Sequence, residues 1–448
     1  MRAFIVQVVI SVAFVSSIVS AAEQTNIVLI MADDMGYECL GCNGSSYWTP
    51  NLDRLASEGI RFTRCYSQPL CTPTRVKVMT GRYNFRNYEE FGYLNPREAT
   101  FGHALQKAGY KTAIAGKWQL NGLAYDLPGF DDSSRPVKAG FDEYCLWQLT
   151  QPKAKGERYA DALLETTGQP PKKHTGKYGP QVLADFVCDF IERNHKQPFF
   201  VYYPMVLTHD PFVPTPDSPE WETGNRMEKN PKYFADMVSY TDRIVGQIED
   251  KLKEFGLREN TLLLFTADNG THVSIATTMN DGRKVRGGKG TTLDTGNHVP
   301  FIASWPGTAP RGAVNGNLIG FTDFFATVTH AAGVPGANDG NDGISFLPML
   351  KGEPGSPRDV LFCHYDPRWG NWDGTFRFSR TKQHKLYADG RLFMTGTDRM
   401  EKQPLKDDST ELRLVRKKLQ ENLDSMPPIE NRPRISKQKK RRQNSPAE

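Results

Sequence analysis

Four hydrophobic runs in this chain share one design: none alternates with polar residues, and each ends on groups able to do chemistry. Asn26–Met31 leads into Asp33-Asp34, and Thr112–Ala115 leads into Gly116-Lys117. Pro198–Tyr203 leads to Thr208-His209, and Thr261–Phe265 to Asp268-Asn269-Gly270. Strands without alternation are buried on both faces, as in a parallel sheet covered by helices. Helical stretches lie among them at Thr49–Glu58, Thr100–Ala108, Gly179–Asn194 and Lys232–Phe255. The pattern predicts an α/β fold, a large mixed and mostly parallel sheet sandwiched by helices. In open α/β sheets ligands gather beyond the carboxyl ends of the strands. Four polar strand ends therefore predict one composite site.

The segment Phe321–Leu350 closes this main domain. Shorter strand candidates follow at Val360–Tyr365, Thr375–Ser379 and His384–Ala388, with Asp389-Gly390 as a hairpin turn before Arg391-Leu392-Phe393. A last helix is expected over Ser409–Leu423. The division expected is a signal peptide over 1–22, a catalytic α/β domain over 23–355, a small C-terminal antiparallel sheet plus helix over 356–426, and a basic disordered tail over 427–448. Two long loops rich in Pro and Lys, Gln151–Tyr178 and Asp210–Asn230, are placed to cover a pocket.

Composition is that of an ordinary globular protein of 448 residues. The N-terminus departs from it: Arg2, then the apolar Phe4–Val19, then the small residues Ser20-Ala21-Ala22. That is the layout of a cleaved secretory signal, and it predicts export to a periplasm or the extracellular space. No later segment is apolar for long enough to span a bilayer, so no stable membrane anchor is expected. The net charge of +5 is local: 431–448 holds seven Lys or Arg and one Glu, leaving the remainder near −1. A solvated tail explains it, and no nucleic-acid partner is expected. Seven cysteines are compatible with disulfides after export, but spacing assigns no pairing. Cys39-x-x-Cys42 has redox spacing without a thioredoxin-like context.

Asp33 and Asp34 are adjacent carboxylates after a buried strand, a costly arrangement unless a cation neutralises them. Asp268 and Asn269 add a carboxylate and an amide oxygen at another strand end. Hard oxygen donors suit Ca²⁺ or Mg²⁺ better than Zn²⁺.

One more motif gives the chemistry a direction. Cys71-Thr72-Pro73-Thr74-Arg75 has the Cys-x-Pro-x-Arg form, and it stands in order with Asp33-Asp34, Gly116-Lys117-Trp118, Thr208-His209, Asp268-Asn269-Gly270 and Gly287-Gly288-Lys289-Gly290. From Asn26 to about Pro306, and more loosely to Leu405, the chain resembles the formylglycine-dependent (type I) sulfatases of the alkaline-phosphatase superfamily, arylsulfatase-like in its motifs. The resemblance implies that a formylglycine-generating enzyme oxidises Cys71, whose hydrated aldehyde joins Asp33, Asp34, Asp268 and Asn269 around the cation and attacks sulfur. It implies that Arg75 orients the formylglycine, that Lys117 and Lys289 hold sulfate oxygens, and that His209 and Lys289 serve the leaving alcohol. Asp268 would accept the proton of the attacking hydroxyl. A sulfated small molecule or glycan is the implied substrate.

Three positions depart from the family pattern. Gln119 stands where histidine usually follows Gly-Lys-Trp; it can bind sulfate but cannot act as a base. Thr74 stands where serine is common and keeps its hydroxyl. Asp294-Thr295-Gly296-Asn297-His298 replaces a Glu-Gly-Gly segment followed by arginine. His209 or His272 could stand in for the missing base; His103, His298 and His364 are expected to be structural. Two other readings follow from the same residues. A phosphomonoesterase or phosphodiesterase would keep the sheet, although Asn269 stands where zinc-type relatives often place histidine. A non-catalytic glycan-binding homologue would account for Gln119 but not for the retention of Cys71, Arg75, Lys117 and Lys289. Trp369 and Trp372 could stack on a sugar or pack the small domain against the large one.

Overall fold

The computed structural model describes residues 24–152, 157–336, 340–369, 374–406, 409–428 and 434–436. The expected signal peptide lies outside the described residues, as do 370–373 and most of the tail. The main sheet has eleven strands: β1 (Asn26–Ala32), β2 (Ile60–Tyr66), β3 (Lys111–Lys117), β4 (Glu143–Trp147), β5 (Leu163–Thr166), β6 (Lys172–Lys173), β7 (Phe199–Pro204), β8 (Thr261–Ala267), β11 (His298–Ser304), β12 (Ala313–Asn315) and β13 (Ile319–Gly320). A two-stranded ribbon, β9 (Ala276–Thr278) and β10 (Lys284–Arg286), stands apart. The sheet order is β12-β2-β11-β8-β1-β7-β3-β4-β5-β6, with β13 also on β2.

Its centre, β8-β1-β7-β3-β4, is parallel throughout. Every residue of β1, β7 and β8 is buried, as their unbroken apolar sequences require. Strand β11 runs antiparallel between β8 and β2, and β5 antiparallel to β4, so the sheet is mixed at its flanks. Helices over Pro50–Glu58, Phe101–Lys107, Gly179–Arg193 and Tyr233–Glu254 match the four expected helical stretches to within a few residues.

The C-terminal unit is a four-stranded antiparallel sheet, β14 (Leu361–Tyr365), β15 (Phe376–Arg380), β16 (His384–Tyr387) and β17 (Leu392–Met394), followed by the helix Thr410–Asp424. One face of it packs Cys363, Tyr365, Phe378, Tyr387 and Phe393 around Leu70, Cys71 and Phe91 of the main domain. The small sheet thus abuts the start of the motif helix. Within the expected disordered tail, Arg434–Ser436 departs from that expectation: Arg434 is buried and pairs with the fully buried Glu90 at 2.8 Å. Among the described residues no helix is long and apolar enough to cross a membrane.

Candidate active site

The carboxyl ends of the four adjacent strands β8, β1, β7 and β3 deliver Asp268-Asn269, Asp33-Asp34, His209 and Lys117 to one place. Ala32 is level with Ala267 and Met31 with Pro204, so neighbouring strands stop together. Gly116 lets β3 end beside β7: a Cβ there would fall 1.9 Å from the Pro204 carbonyl oxygen. The helix Cys71–Thr80, buried along its whole length, brings Cys71 and Arg75 to the same point from below. Thr74 braces its entry, donating to the Leu70 carbonyl at 2.9 Å and accepting from the Gln68 amide at 3.1 Å. The loop bearing Lys289 fits because Gly287 and Gly288 leave no side chain against Thr271 and Thr295.

The charged groups interlock. Arg75 donates to Asp268 Oδ2 through Nη2 at 2.9 Å and Nε at 3.2 Å, and to the Lys117 carbonyl at 2.9 Å. Lys117 Nζ donates to Asp33 Oδ2 at 2.8 Å, and Lys289 Nζ to Asp34 Oδ2 at 2.6 Å. Lys289 also lies 3.1 Å from His209 Nε2, while His209 Nδ1 lies 2.7 Å from the Asp210 carbonyl oxygen. Since an ammonium only donates, this arrangement makes Nε2 the acceptor and places the imidazole proton on Nδ1. Cys71 heads its helix close enough to Lys289 and Arg75 to act on both electrostatically.

Burial and neighbouring charges set the proton affinities in different directions. Burial raises the Asp33 carboxyl, but Lys117, Arg75 and Lys289 outweigh it and leave Asp33 below the usual carboxylate range. Burial wins at Asp34, which is raised despite Lys289. Burial together with the Asp33 charge pushes Asp268 up to about 7 against the pull of Arg75. His209 is held well below its ordinary value by burial, then by Lys289, Lys117 and Arg158. Burial lowers Lys289, yet Asp34 and Cys71 more than compensate and raise it.

Two buried oxygens in this cluster, Asp33 Oδ1 and Asn269 Oδ1, have no hydrogen-bond partner among the described residues. Asn269 Nδ2 donates to Asp34 Oδ1 at 2.8 Å and to the Gly270 carbonyl, which fixes its oxygen as the free atom. Unmet buried acceptors cost about 1–3 kcal/mol each, and a hard cation would satisfy both. Ligand atoms of Asp33, Asp34 and His209 lie within 4.8 Å of one another, so the cluster could hold a metal ion. The donor set fits one. Asp268 has both oxygens engaged, by Arg75 and by the Asp34 amide.

The expected residues Asp33, Asp34, Arg75, Lys117, His209, Asp268, Asn269 and Lys289 are therefore linked by direct contacts. Gln119 stands apart: its side chain makes no hydrogen bond among the described residues, and only its amide reaches the Gln148 carbonyl, at 3.3 Å. Asp34, Gln119 and Gln148 all adopt left-handed backbone, with φ of 64°, 49° and 57°. Strain of that kind in non-glycine residues concentrates at functional sites. Gln148 escapes a reading limited to four strands, although β4 running into Gln148 obeys the same rule.

The remaining histidines are structural or peripheral. His103 caps its own helix, and His298 stacks between Tyr37 and Tyr66 while pairing with Asp294 at 3.3 Å. His272 binds Ser274 and stacks edge-on against Phe212. Trp369 stacks on Phe91, which favours packing between the units. All seven cysteines are unpaired; burial pushes the Cys42 thiol up to about 12 and raises Cys39 further, which disfavours the reactive thiolate at both.

Comparison with known proteins now decides the family. The sulfatase family model matches residues 25–334. The chain belongs to the sulfatase family. It is 33% identical to the N-acetylgalactosamine-6-sulfatase of Mus musculus over 368 residues, covering 74% of this chain and 68% of that protein. It is 33% identical to arylsulfatase A of Homo sapiens over 381 residues, covering 77% and 71%. The crystal structure of Ps i-CgsB in complex with k-i-k-neocarrahexaose superposes with a TM-score of 0.72 at 26% identity, covering 90% of this chain and 92% of that one. This sulfatase is a hydrolase of sulfate esters with the alkaline-phosphatase-like fold.

Proposed function

We propose that this sulfatase acts on a sulfated sugar or aryl sulfate through formylglycine at position 71 and a divalent cation, Ca²⁺ or Mg²⁺. The observation that carries the reading is the pair of orphaned oxygens, Asp33 Oδ1 and Asn269 Oδ1, in a cluster that also contains two ammonium groups and the head of the Cys71 helix. Asp33, Asp34, Asn269 and Asp268 would hold the cation. Formylglycine at position 71 would supply a nucleophilic hydroxyl, and a cation held by these residues would supply positive charge. Arg75 fixes Asp268 and the end of β3 at once. Lys117 and Lys289 bind the sulfate oxygens and meet the charge that grows on them. Asp268 accepts the proton of the attacking hydroxyl. On the leaving side His209 Nε2 is an acceptor, so Lys289 carries the proton that the departing alkoxide needs. Gln119 offers hydrogen bonds to sulfate and no base.

A sulfated glycan is favoured by relatives named for N-acetylgalactosamine 6-sulfate and by a neocarrahexaose-bound neighbour. The N-terminal sequence favours export, with a formylglycine-generating enzyme met on the way. The test is mass spectrometry of the tryptic peptide containing Cys71, joined to parallel assays on p-nitrophenyl sulfate and p-nitrophenyl phosphate. Aldehyde in place of thiol, turnover of the sulfate over the phosphate, and loss of at least about 1,000-fold in Cys71→Ala are expected. An unmodified thiol in a fully active enzyme would overturn the proposal.

A further inference from the structure

Among the described residues Arg158 is a cation without a counter-ion. It is 2% exposed, and its Nη1 has no hydrogen-bond partner among the described residues. Buried guanidinium groups are normally paired, and an unmet donor calls for an explanation. Stacking on Trp147, 4.2 Å from the ring centre, holds the group in place. Such stacking supplies some attraction but leaves the N–H groups unanswered.

Its position is set by rigid neighbours. The Gly179 amide donates to the Tyr159 carbonyl at 2.7 Å, and a Cβ on Gly179 would strike the Arg158 carbonyl. Tyr159 in turn donates through its hydroxyl to the Val206 and His209 carbonyl oxygens. Trp147 is level with Lys117 across the β3–β4 pairing. Arg158 therefore sits on the His209 flank of the site, the leaving-group side. The other charges are already balanced: Arg75, Lys117 and Lys289 each pair with Asp268, Asp33 or Asp34. Arg158 is a fourth cation over three matched pairs.

A cavity adjoins this flank through chain neighbours: Glu157 precedes Arg158, and Asp210 follows His209 and lies 3.0 Å from its Nδ1. It measures about 290 Å³ and is lined by Glu157, Asp210, Phe212, Lys229 and Asn230, from the two loops predicted to cover the pocket. The carboxylates of Glu157 and Asp210 suit sugar hydroxyl groups. Gln148, nearby in sequence to Trp147, adds a second orphan, its buried Oε1.

We propose that Arg158 binds a second anionic group of the substrate, a sulfate or carboxylate on the leaving sugar, so that the preferred substrates carry two negative charges. This rests on the sulfated-sugar reading above and deepens it. The test measures binding of N-acetylgalactosamine 6-sulfate and 4,6-disulfate by calorimetry to the Cys71→Ala protein, alone and combined with Arg158→Met or Arg158→Lys. The disulfate is expected to bind at least about tenfold more tightly than the monosulfate, as one charge-assisted contact implies. Arg158→Met should erase that ratio, and Arg158→Lys should restore part of it. No preference in the Cys71→Ala protein itself, or equal losses for both sugars in Arg158→Met, would overturn the proposal. Should Arg158→Met fail to fold, the first comparison and Arg158→Lys still decide. Binding needs no turnover, so an unsubstituted protein that hydrolyses neither sugar, beside a Cys71→Ala variant that still discriminates between them, would sink the catalytic reading while leaving this one standing.

Discussion

Gln119 is the residue at which this sulfatase differs most consequentially from its family pattern. Its backbone is left-handed and its amide is pinned to the Gln148 carbonyl, so the side chain is aimed by geometry fixed elsewhere. A glutamine there can donate to sulfate oxygens, yet it cannot take a proton. No other histidine among the described residues fills the gap: His272 is tied to Ser274, and burial with the nearby ammonium groups holds the proton affinity of His209 well below its ordinary value, which makes it a poor base. Gln119→His should therefore leave turnover intact or accelerate release of sulfate. Pre-steady-state assays with p-nitrophenyl sulfate would show a larger steady rate relative to the burst; a collapse of activity would contradict this account. At this scale the sequence was informative wherever a residue's neighbours in the chain announce its role, as with Asp33-Asp34 or the Cys71 motif. Arg158 gave no such signal. Its meaning comes from a missing partner, which exists only in three dimensions.

The elements explain why the site is rigid. Cys71 and Lys289 both rest on the small C-terminal sheet: Tyr365 donates to the Gly290 carbonyl at 3.1 Å, and Arg380 pairs with Asp294 at 2.9 Å while lying 3.5 Å from the Tyr66 ring centre. Asp294 belongs to the segment that departs from the family pattern, and its partners show what the departure builds. Burial would raise its carboxyl, but Arg380 and His298 prevail and hold it far below its ordinary 3.8. Its contribution to stability is thus complete above 3.8 and drains away as acid protonates it in the unfolded chain first. Asp294→Asn, which leaves Arg380 buried without a carboxylate, should lose about 3–5 kcal/mol at pH 7. Denaturant unfolding at pH 7 and below 3.8 checks both parts: the mutant should be weaker at neutral pH, and the gap should narrow only in acid. A constant gap would refute the pairing. The four central strands were legible because their apolar runs are unbroken. Strand β11 was not, because Pro300 interrupts it and a register shift falls between Val299 and Phe301. Strand β2 mixes Arg61, Thr63 and Arg64 into an apolar run, which disguises it as a loop.

The whole molecule is held by contacts that cross between its two units, and one of them lies in the segment read from sequence as a free basic tail. Charge density alone predicted that reading, and charge density does not reveal a buried carboxylate waiting elsewhere. Glu90 is fully buried, and Arg434 reaches it at 2.8 Å, with Ser436 donating to its other oxygen at 2.6 Å. Arg434 also donates to the Arg368 carbonyl, beside the Trp369 ring that stacks on Phe91. Phe91 belongs to the apolar cluster around Cys71. The tail therefore acts as a strap across the segment that packs around Cys71. Deleting 429–448 strands Glu90 as a buried, unpaired charge, and should cost about 3 kcal/mol. Deleting only 438–448 removes four of the seven basic residues and keeps the strap, so it should change stability by less than about 0.5 kcal/mol. Chemical denaturation of the two truncations decides the matter. Equal stability would make the tail a solvated appendage after all, while a loss confined to the longer deletion, restored by Glu90→Gln, would identify the Arg434 pair as the cause.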